Sequence, residues 1–155
     1  MTDATHDTPY SGCIADGQHH FAIRVYYADT DAGGVVYHAN YLAYFERARS
    51  DMLQLAGADW LGALAKNGST YVVSEAGLKY RQPARLGDAL VVVSRVGGIR
   101  KASVVVHQRV MRDGAVIVEG TVTVAYVGPD GRPRRQPEPW IAAFEAISGG
   151  AEARR

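Results

Sequence analysis

Between Tyr41 and Ala56 the apolar residues lie three and four positions apart, which is the pattern of a helix with one apolar face. Asn40 is placed to cap the start of this helix, and Gly57 is placed to end it. A helix of about 16 residues is about 24 Å long, enough to span a small sheet. The stripe consists of Tyr41, Tyr44, Phe45, Ala48, Met52, Leu55 and Ala56.

The rest of the chain is patterned as strands. From Phe21 to Ala28, apolar and more polar residues alternate with the period of two that is typical of a strand. Glycine or proline turns separate the later runs, and Asp113-Gly114 indicates a type I′ hairpin. Such short connections make successive strands antiparallel neighbours. The later predicted strands are 71–80, 89–96, 102–111 and 115–127, and a short helix is predicted over 140–147.

The long helix and the sheet each have an apolar surface that needs a cover. The sequence therefore predicts an α+β fold in which one antiparallel sheet wraps around the helix. Edge strands and a second, partly apolar sheet face would stay uncovered, so we expect a homo-oligomer. The folded domain is predicted over 19–147, after a disordered lead-in over 1–18 and before a flexible tail over 148–155.

Composition narrows the class of protein. The chain has 155 residues, enough for one domain with a real core. Its 17 basic and 16 acidic residues give a net charge of +1, so charge makes no case for nucleic acid as a partner. The single cysteine, Cys13, excludes an internal disulfide and fits a reducing compartment. No signal peptide or membrane span is predicted, and we expect a cytoplasmic protein.

The loop before the long helix carries the densest chemical signal. Asp29 and Asp31 lie in a glycine-containing segment, directly before a helix start whose backbone amides lack intrahelical partners. A carboxylate facing free amides suits acyl transfer, because the carboxylate attacks the carbonyl or activates water while the amides stabilise the oxyanion. An aspartate there is also a common cap or turn former. Gly33-Gly34 either admits a ligand closely or only makes a turn, and His38 either contacts a carbonyl or bonds the loop.

The run YADTDAGGVVYHANYLAYFERAR, from Tyr27 to Arg49, resembles the signature of the 4-hydroxybenzoyl-CoA thioesterase family. It is most similar to the YbgC-type branch associated with the Tol–Pal system. The similarity continues through LKYRQPARLGD at residues 78–88. It implies a hotdog fold, a homodimer or homotetramer with active sites at a subunit interface, and hydrolysis of acyl-CoA. No metal or separate cofactor is implied, since coenzyme A is part of the substrate.

The resemblance also implies roles for single residues. The second aspartate of D-T-D, Asp31, matches the catalytic carboxylate, with Asp29 supporting the loop. His38 is placed to meet the thioester carbonyl, and Tyr27 matches an active-site tyrosine of the branch. The expected contacts with the rest of the substrate are Gly34, Val35, Tyr41 and, on the CoA phosphates, Arg100 and Lys101.

Three alternatives stay open at this point. A hotdog hydratase uses an aspartate and a histidine in a D-x4-H loop, whereas six residues separate Asp31 from His38. A non-catalytic module would bind acyl-CoA or an acyl carrier protein without cleaving it. A serine hydrolase is disfavoured because the sequence has no G-x-S-x-G element. The adjacent His19 and His20 make only a weak metal site, so no metal is predicted.

Overall fold

The computed structural model of the protein describes residues 6–148. Its elements are β1 (Cys13–Ala15), β2 (Gln18–Arg24), a 3-10 turn (Tyr27–Asp29), α1 (Asn40–Leu55), α2 (Trp60–Asn67), β3 (Thr70–Tyr80), β4 (Ala89–Ile99), β5 (Ser103–Arg112), β6 (Ala115–Val127) and α3 (Glu138–Ile147). The strands form one antiparallel sheet in the order β1-β2-β4-β5-β6-β3. The predicted α+β architecture is confirmed.

Helix α1 packs its predicted apolar face on the sheet. Phe45 and Ala48 are fully buried against valines of β4, β5 and β6. The stripe holds at five positions: Tyr41, Tyr44, Phe45, Ala48 and Met52. It is wrong at Leu55, which is 43% exposed because the last turn of the helix passes beyond the sheet-facing core.

The start of α1 differs from the sequence prediction. Asn40 is the first residue of the helix and not its cap, and the capping position falls to Ala39, which has no side-chain acceptor. The Asn40 side chain instead donates from Nδ2 to the Asp29 carbonyl at 2.7 Å. Gly57 ends the helix as predicted, with a φ of +80°. Asn40 therefore ties the preceding loop to α1.

A second core closes the far end of α1. Trp140 and Phe144 of α3 pack with Met52 and with valines of β4 and β5. The predicted terminal helix is confirmed and begins two residues earlier, at Glu138. The sequence analysis did not predict helix α2, although the residues that begin and end it are local signals. Asp59 Oδ1 accepts from the Gly62 amide at 2.9 Å, and Gly68 ends the helix in the left-handed conformation.

The N-terminal strands correct the predicted lead-in. Strand β1 pairs with β2, and Asp51 of α1 contacts the N-terminal segment that contains β1. Its carboxylate accepts from Ser11 Oγ at 2.8 Å and from the Gly12 amide at 2.9 Å, and it lies 2.7 Å from His19 Nε2. The expectation of disorder over 1–18 is wrong for residues 11–18, because these partners come from distant parts of the sequence.

Parts of both predicted terminal segments lie outside the described residues. Residues 1–5 of the lead-in and 149–155 of the tail are not among them. Within the described chain, Ser148 caps the C-terminus of α3, where its amide bonds to the Phe144 carbonyl. The N-terminal boundary predicted at 18 is therefore corrected, and the flexible tail over 148–155 stays a prediction.

Strand β3 forms an edge of the sheet. It pairs with β6 on one side, and within the described residues its other side has no strand partner over Thr70–Tyr80. Val72, Val73 and Tyr80 are exposed along it. An unpaired row of backbone donors and acceptors, with apolar side chains beside it, favours pairing with another chain.

Candidate active site

The loop before α1 begins where β2 ends. The predicted strand stops at Arg24 rather than Ala28, because the chain turns into the 3-10 segment. Asp29 fixes this turn, since its Oδ2 accepts from the Tyr26 amide at 2.8 Å. The Asp29 carbonyl accepts from the Tyr37 amide at 2.9 Å as well as from Asn40. Asp29 therefore joins the entrance of the loop to the start of the helix.

Asp31 stands at the base of a tight turn within this loop. The Asp31 amide donates to the Val35 carbonyl at 2.9 Å, and the Gly34 amide donates to the Asp31 carbonyl at 3.0 Å. Gly34 has a φ of +79°, which explains a glycine at this position. The Asp31 side chain accepts from the Gly33 amide through Oδ1 at 2.8 Å. No described residue bonds to Oδ2, so the exposed carboxylate keeps one oxygen available.

The first turn of α1 supplies the amide donors that the sequence predicted. The Asn40 amide bonds to the Tyr37 carbonyl at 2.9 Å, and the Leu42 amide bonds to the Ala39 carbonyl at 3.2 Å. Within residues 6–148, the amides of His38, Ala39 and Tyr41 have no hydrogen-bond acceptor. These groups lie at the positive end of the helix dipole. Free backbone amides in such a position can stabilise developing negative charge.

A second segment, residues 80–88, supports the loop from the side. The Val36 amide donates to the Ala84 carbonyl at 2.9 Å, and Val35 forms a β-bridge with Arg85. Asp88 anchors this segment, because its Oδ2 accepts from the Arg85 amide at 2.9 Å and from Arg112 Nη1 at 2.8 Å. These hydrogen bonds, the backbone one first, lower the pKa of Asp88. The similarity over residues 78–88 was the sequence signal for this segment.

Tyr80 is a site residue that sequence reasoning missed. Its hydroxyl donates to the His38 carbonyl at 3.0 Å. Its ring lies 6.4 Å from the His38 ring and 5.7 Å from the Tyr41 ring, both edge-on. Tyr80 thereby fixes the backbone from which the free amides project. A tyrosine at the end of a strand gave no separate signal.

Two buried tyrosines lie under the site. Burial raises the pKa of Tyr41, and burial followed by the charge of Asp29 raises the pKa of Tyr44. Both hydroxyls therefore stay protonated at neutral pH. The Tyr44 hydroxyl has no hydrogen-bond partner among the described residues.

Most predicted site residues lie in one stretch of the chain, between the 3-10 turn and the first turn of α1. Tyr27 lies in the 3-10 turn and is 83% exposed, and His38 is exposed beside the rings of Tyr37 and Tyr80. The Tyr41 side chain is only 3% exposed, so a substrate would meet its amide and not its ring. The predicted site residues in this stretch are Tyr27, Asp31, Gly34, Val35, His38 and Tyr41.

Arg100 and Lys101 lie elsewhere in the subunit. They form the turn after β4, whose first residue follows the anchor Asp88. The 11 residues of β4 extend for about 36 Å at the usual rise. The turn is therefore at the opposite end of the sheet from Asp31. Contact of these two residues with CoA phosphates stays a prediction, and it requires a site shared with another subunit.

Neither a metal-binding cluster nor a membrane-spanning helix is present in residues 6–148. Within residues 6–148 no group of three or more histidine, cysteine, aspartate or glutamate side chains is arranged to hold a metal ion. His19 is buried and bonds to Asp51 instead. Over the same range, none of the helices combines the length and the apolar character needed to cross a membrane.

Comparison with known proteins identifies the family. The model of the thioesterase-like superfamily matches residues 25–144, which include the whole loop, α1 and most of the sheet. The chain belongs to this superfamily. Its sequence is 40% identical to the acyl-CoA thioesterase YbgC of Haemophilus influenzae over 114 residues, which are 74% of this chain and 84% of that protein.

Two further relatives agree with this assignment. The acyl-CoA thioester hydrolase YbgC of Escherichia coli is 38% identical over 125 residues, or 79% of this thioesterase and 92% of the relative. The crystal structure of a probable thioesterase from Bartonella henselae has a TM-score of 0.73 at 35% identity, covering 77% of this chain and 99% of the other. The predicted family, hotdog fold and class of enzyme, a thioester hydrolase, are confirmed.

Proposed function

We propose that this thioesterase hydrolyses acyl-CoA to a free acid and CoA, with Asp31 as the group that acts on the thioester. The relatives at 38% and 40% identity support the substrate class. One observation supports the site. The Asp31 carboxylate has an unbonded oxygen on a loop that is hydrogen-bonded to the start of α1, where backbone amides are also unbonded.

The chemistry follows from these two features. The amides of His38, Ala39 and Tyr41 would hold the thioester oxygen as negative charge develops on it. Asp31 then either attacks the carbonyl carbon, forming a mixed anhydride, or removes a proton from an attacking water. Both routes expel CoA as a thiolate and consume one water. A carboxylate, water and amide donors suffice, so no metal or separate cofactor is proposed.

Further roles follow from position. We assign His38 to orient the substrate, because its ring is exposed beside its own free amide. Gly34 and Val35 would border the bound thioester, and Tyr27 would contact it from the 3-10 turn. Arg100 and Lys101 would meet CoA phosphates from another subunit.

The exposed β3 edge supports the proposed assembly. We propose a homodimer in which the Thr70–Tyr80 edges pair, and a homotetramer made from two such dimers. Dimerisation would cover the otherwise exposed loop that bears Asp31. The similarity to YbgC-type enzymes further leads us to propose a cytoplasmic location, a link to the Tol–Pal system, and acyl carrier protein as an alternative acyl donor.

The Asp31→Asn substitution tests the assignment. Asparagine keeps the oxygen that accepts from the Gly33 amide, so the loop should fold while the charged oxygen is lost. The release of free CoA thiol from a panel of acyl-CoAs should fall by about 10²–10⁴-fold, with substrate binding retained. Asp130→Asn is a matched control, because Asp130 makes the same type of turn contact, to the Arg132 amide at 3.1 Å.

The outcomes separate the alternatives. Turnover within about threefold of wild type in Asp31→Asn would refute the role of Asp31, since a lost general base costs far more. Binding of acyl-CoA by the wild type without any thiol release would favour the non-catalytic module. Addition of water to an enoyl-CoA without thiol release would favour a hydratase.

A further inference from the structure

The segment of residues 80–88, which supports the loop before α1, is itself held in place by Arg112. Arg112 is the last residue of β5. Its Nη1 donates to the Pro83 carbonyl at 2.9 Å and to Asp88 Oδ2 at 2.8 Å, and its Nη2 donates to Gln82 Oε1 at 3.4 Å. One guanidinium therefore fastens the segment to the end of β5 at three residues.

Two residues between these contacts hold the loop through the backbone. The Val36 amide donates to the Ala84 carbonyl at 2.9 Å, and Val35 forms a β-bridge with Arg85. The Val35 carbonyl in turn accepts from the Asp31 amide at 2.9 Å. The position of Asp31 therefore depends on the position of the segment.

Pro83 is the point of the segment that depends most on Arg112. Proline has no backbone N–H, and within the described residues no backbone amide donates to the Pro83 carbonyl. The Asp88 end has a further attachment, because the Val25 amide donates to the Asp88 carbonyl at 3.0 Å. Loss of Arg112 would therefore free the segment directly before Ala84, whose carbonyl holds the loop.

The Arg112–Asp88 ion pair also lies close to the helix start. Burial raises the pKa of the Tyr41 hydroxyl, and the charges of Arg112 and Asp88 act on it as well, in opposite directions. The Tyr41 amide is one of the free amides at the start of α1. The pair is therefore near both parts of the proposed site, the loop and the helix start.

The pair is better suited to fixing a geometry than to stabilising the fold. The side chains of Arg112 and Asp88 are 25% and 26% exposed. Ion pairs that solvent reaches contribute little to stability. A planar guanidinium has donors in fixed directions, so it holds its acceptors in one arrangement.

We propose, building on the thioesterase function proposed above, that Arg112 is a positioning residue: by holding the segment it fixes the Asp31 carboxylate relative to the free amides of α1. Arg112 does not itself touch the thioester. A displacement of about 1 Å can cost about 10²-fold in rate, because reacting groups must be held at a near-attack distance. Loss of Arg112 should therefore slow the chemical step more than it weakens substrate binding.

The kinetic test compares Arg112→Ala with the wild type in the release of CoA thiol from hexanoyl-CoA. The kcat should fall about 10–100-fold, while KM changes less than about threefold. Arg112→Lys keeps the positive charge but loses the planar fork, so it should recover only part of kcat. Added methylguanidinium should raise the kcat of Arg112→Ala at least about threefold by restoring the bonds to Pro83 and Asp88, whereas methylammonium should not.

Asp51→Ala is the control for a loss of stability alone. Asp51 contacts the N-terminal strands, so kcat should stay at the wild-type value at a temperature where circular dichroism shows both variants folded. Hydrogen exchange reads the loop directly. The Val36 amide, which bonds to the Ala84 carbonyl, should exchange faster in Arg112→Ala and not in Asp51→Ala.

The outcomes are distinct. An unchanged kcat in Arg112→Ala, or an equal fall in Arg112→Ala and Asp51→Ala, would overturn the positioning role. A rise in KM alone would also overturn it, since it would indicate lost substrate binding. If Arg112→Ala does not fold, Arg112→Lys carries the same kinetic and exchange measurements. Failure of the proposed function has its own signature: turnover retained in Asp31→Asn, or no thiol release by the wild type, with Val36 exchange still accelerated in the Arg112 variant.

Discussion

Asp51 joins the N-terminal strands to α1, and Asp51→Ala should loosen that junction. The side chain is 11% exposed and the His19 side chain is fully buried. Oδ2 serves both His19 Nε2 at 2.7 Å and the Gly12 amide at 2.9 Å, while Oδ1 serves the exposed Ser11 hydroxyl. Alanine removes all three contacts at once.

The expected cost can be worked from these contacts. A hydrogen bond to a charged group contributes about 1.5–3 kcal/mol, and the two contacts of Oδ2 are the sheltered ones. His19 Nδ1 already lacks a partner within the described chain, so the substitution leaves the buried ring with none there. Taking the lower figure for the two Oδ2 contacts and almost nothing for exposed Ser11, the free energy of unfolding should fall by about 3 kcal/mol. For a chain of this size, Tm should fall by about 6–12 °C.

Urea denaturation and calorimetry would measure the loss, and hydrogen exchange would locate it in residues 11–20. Asp130→Ala is the control, since Asp130 makes one exposed turn contact and should cost less than about 1 kcal/mol. Asp51→Asn should recover about half of the loss, because one acceptor oxygen remains. Equal stabilities for Asp51→Ala and Asp130→Ala would refute the argument from buried acceptors.

Two further predictions concern pH and the site. Burial outweighs Asp51 and lowers the pKa of His19 below 6.5, so the unfolded chain takes up a proton that the folded chain refuses. The free energy of unfolding should therefore fall as pH drops below about 6.5. Urea denaturation between about pH 7.5 and 5.5 would measure this fall, which should be less steep in His19→Gln. An equal dependence of stability on pH in the two proteins would count against His19. Tyr80→Phe removes the hydrogen bond to the His38 carbonyl, worth about 1 kcal/mol, and should lower kcat by about fivefold. Tyr10→Phe is the control, because the Tyr10 hydroxyl has no hydrogen bond to other described residues. If the two substitutions lowered CoA release equally, Tyr80 would have no role in the site.

Local patterns in the sequence were enough for much of the fold. The apolar stripe of α1 is set by residues three and four apart, which share a face in any helix. The hairpin at Asp113-Gly114 was also predicted correctly, because both residues adopt the positive φ that such turns need. The loop at Asp31 was predicted for the same reason, since its glycines and free helix amides are close in sequence.

Contacts between distant residues were decided only by the tertiary structure. Ser11 and Gly12 looked disordered, because the carboxylate that orders them is about 40 residues away in Asp51. Asn40 was predicted to be a cap, whereas in the fold its side chain donates to the Asp29 carbonyl. The separation of Arg100 and Lys101 from Asp31, and the contact of Arg112 with Asp88, depend on which strands are neighbours in the sheet. The periodicity of a sequence specifies which face of an element is apolar, whereas a site assembled across elements depends on packing that no local pattern contains.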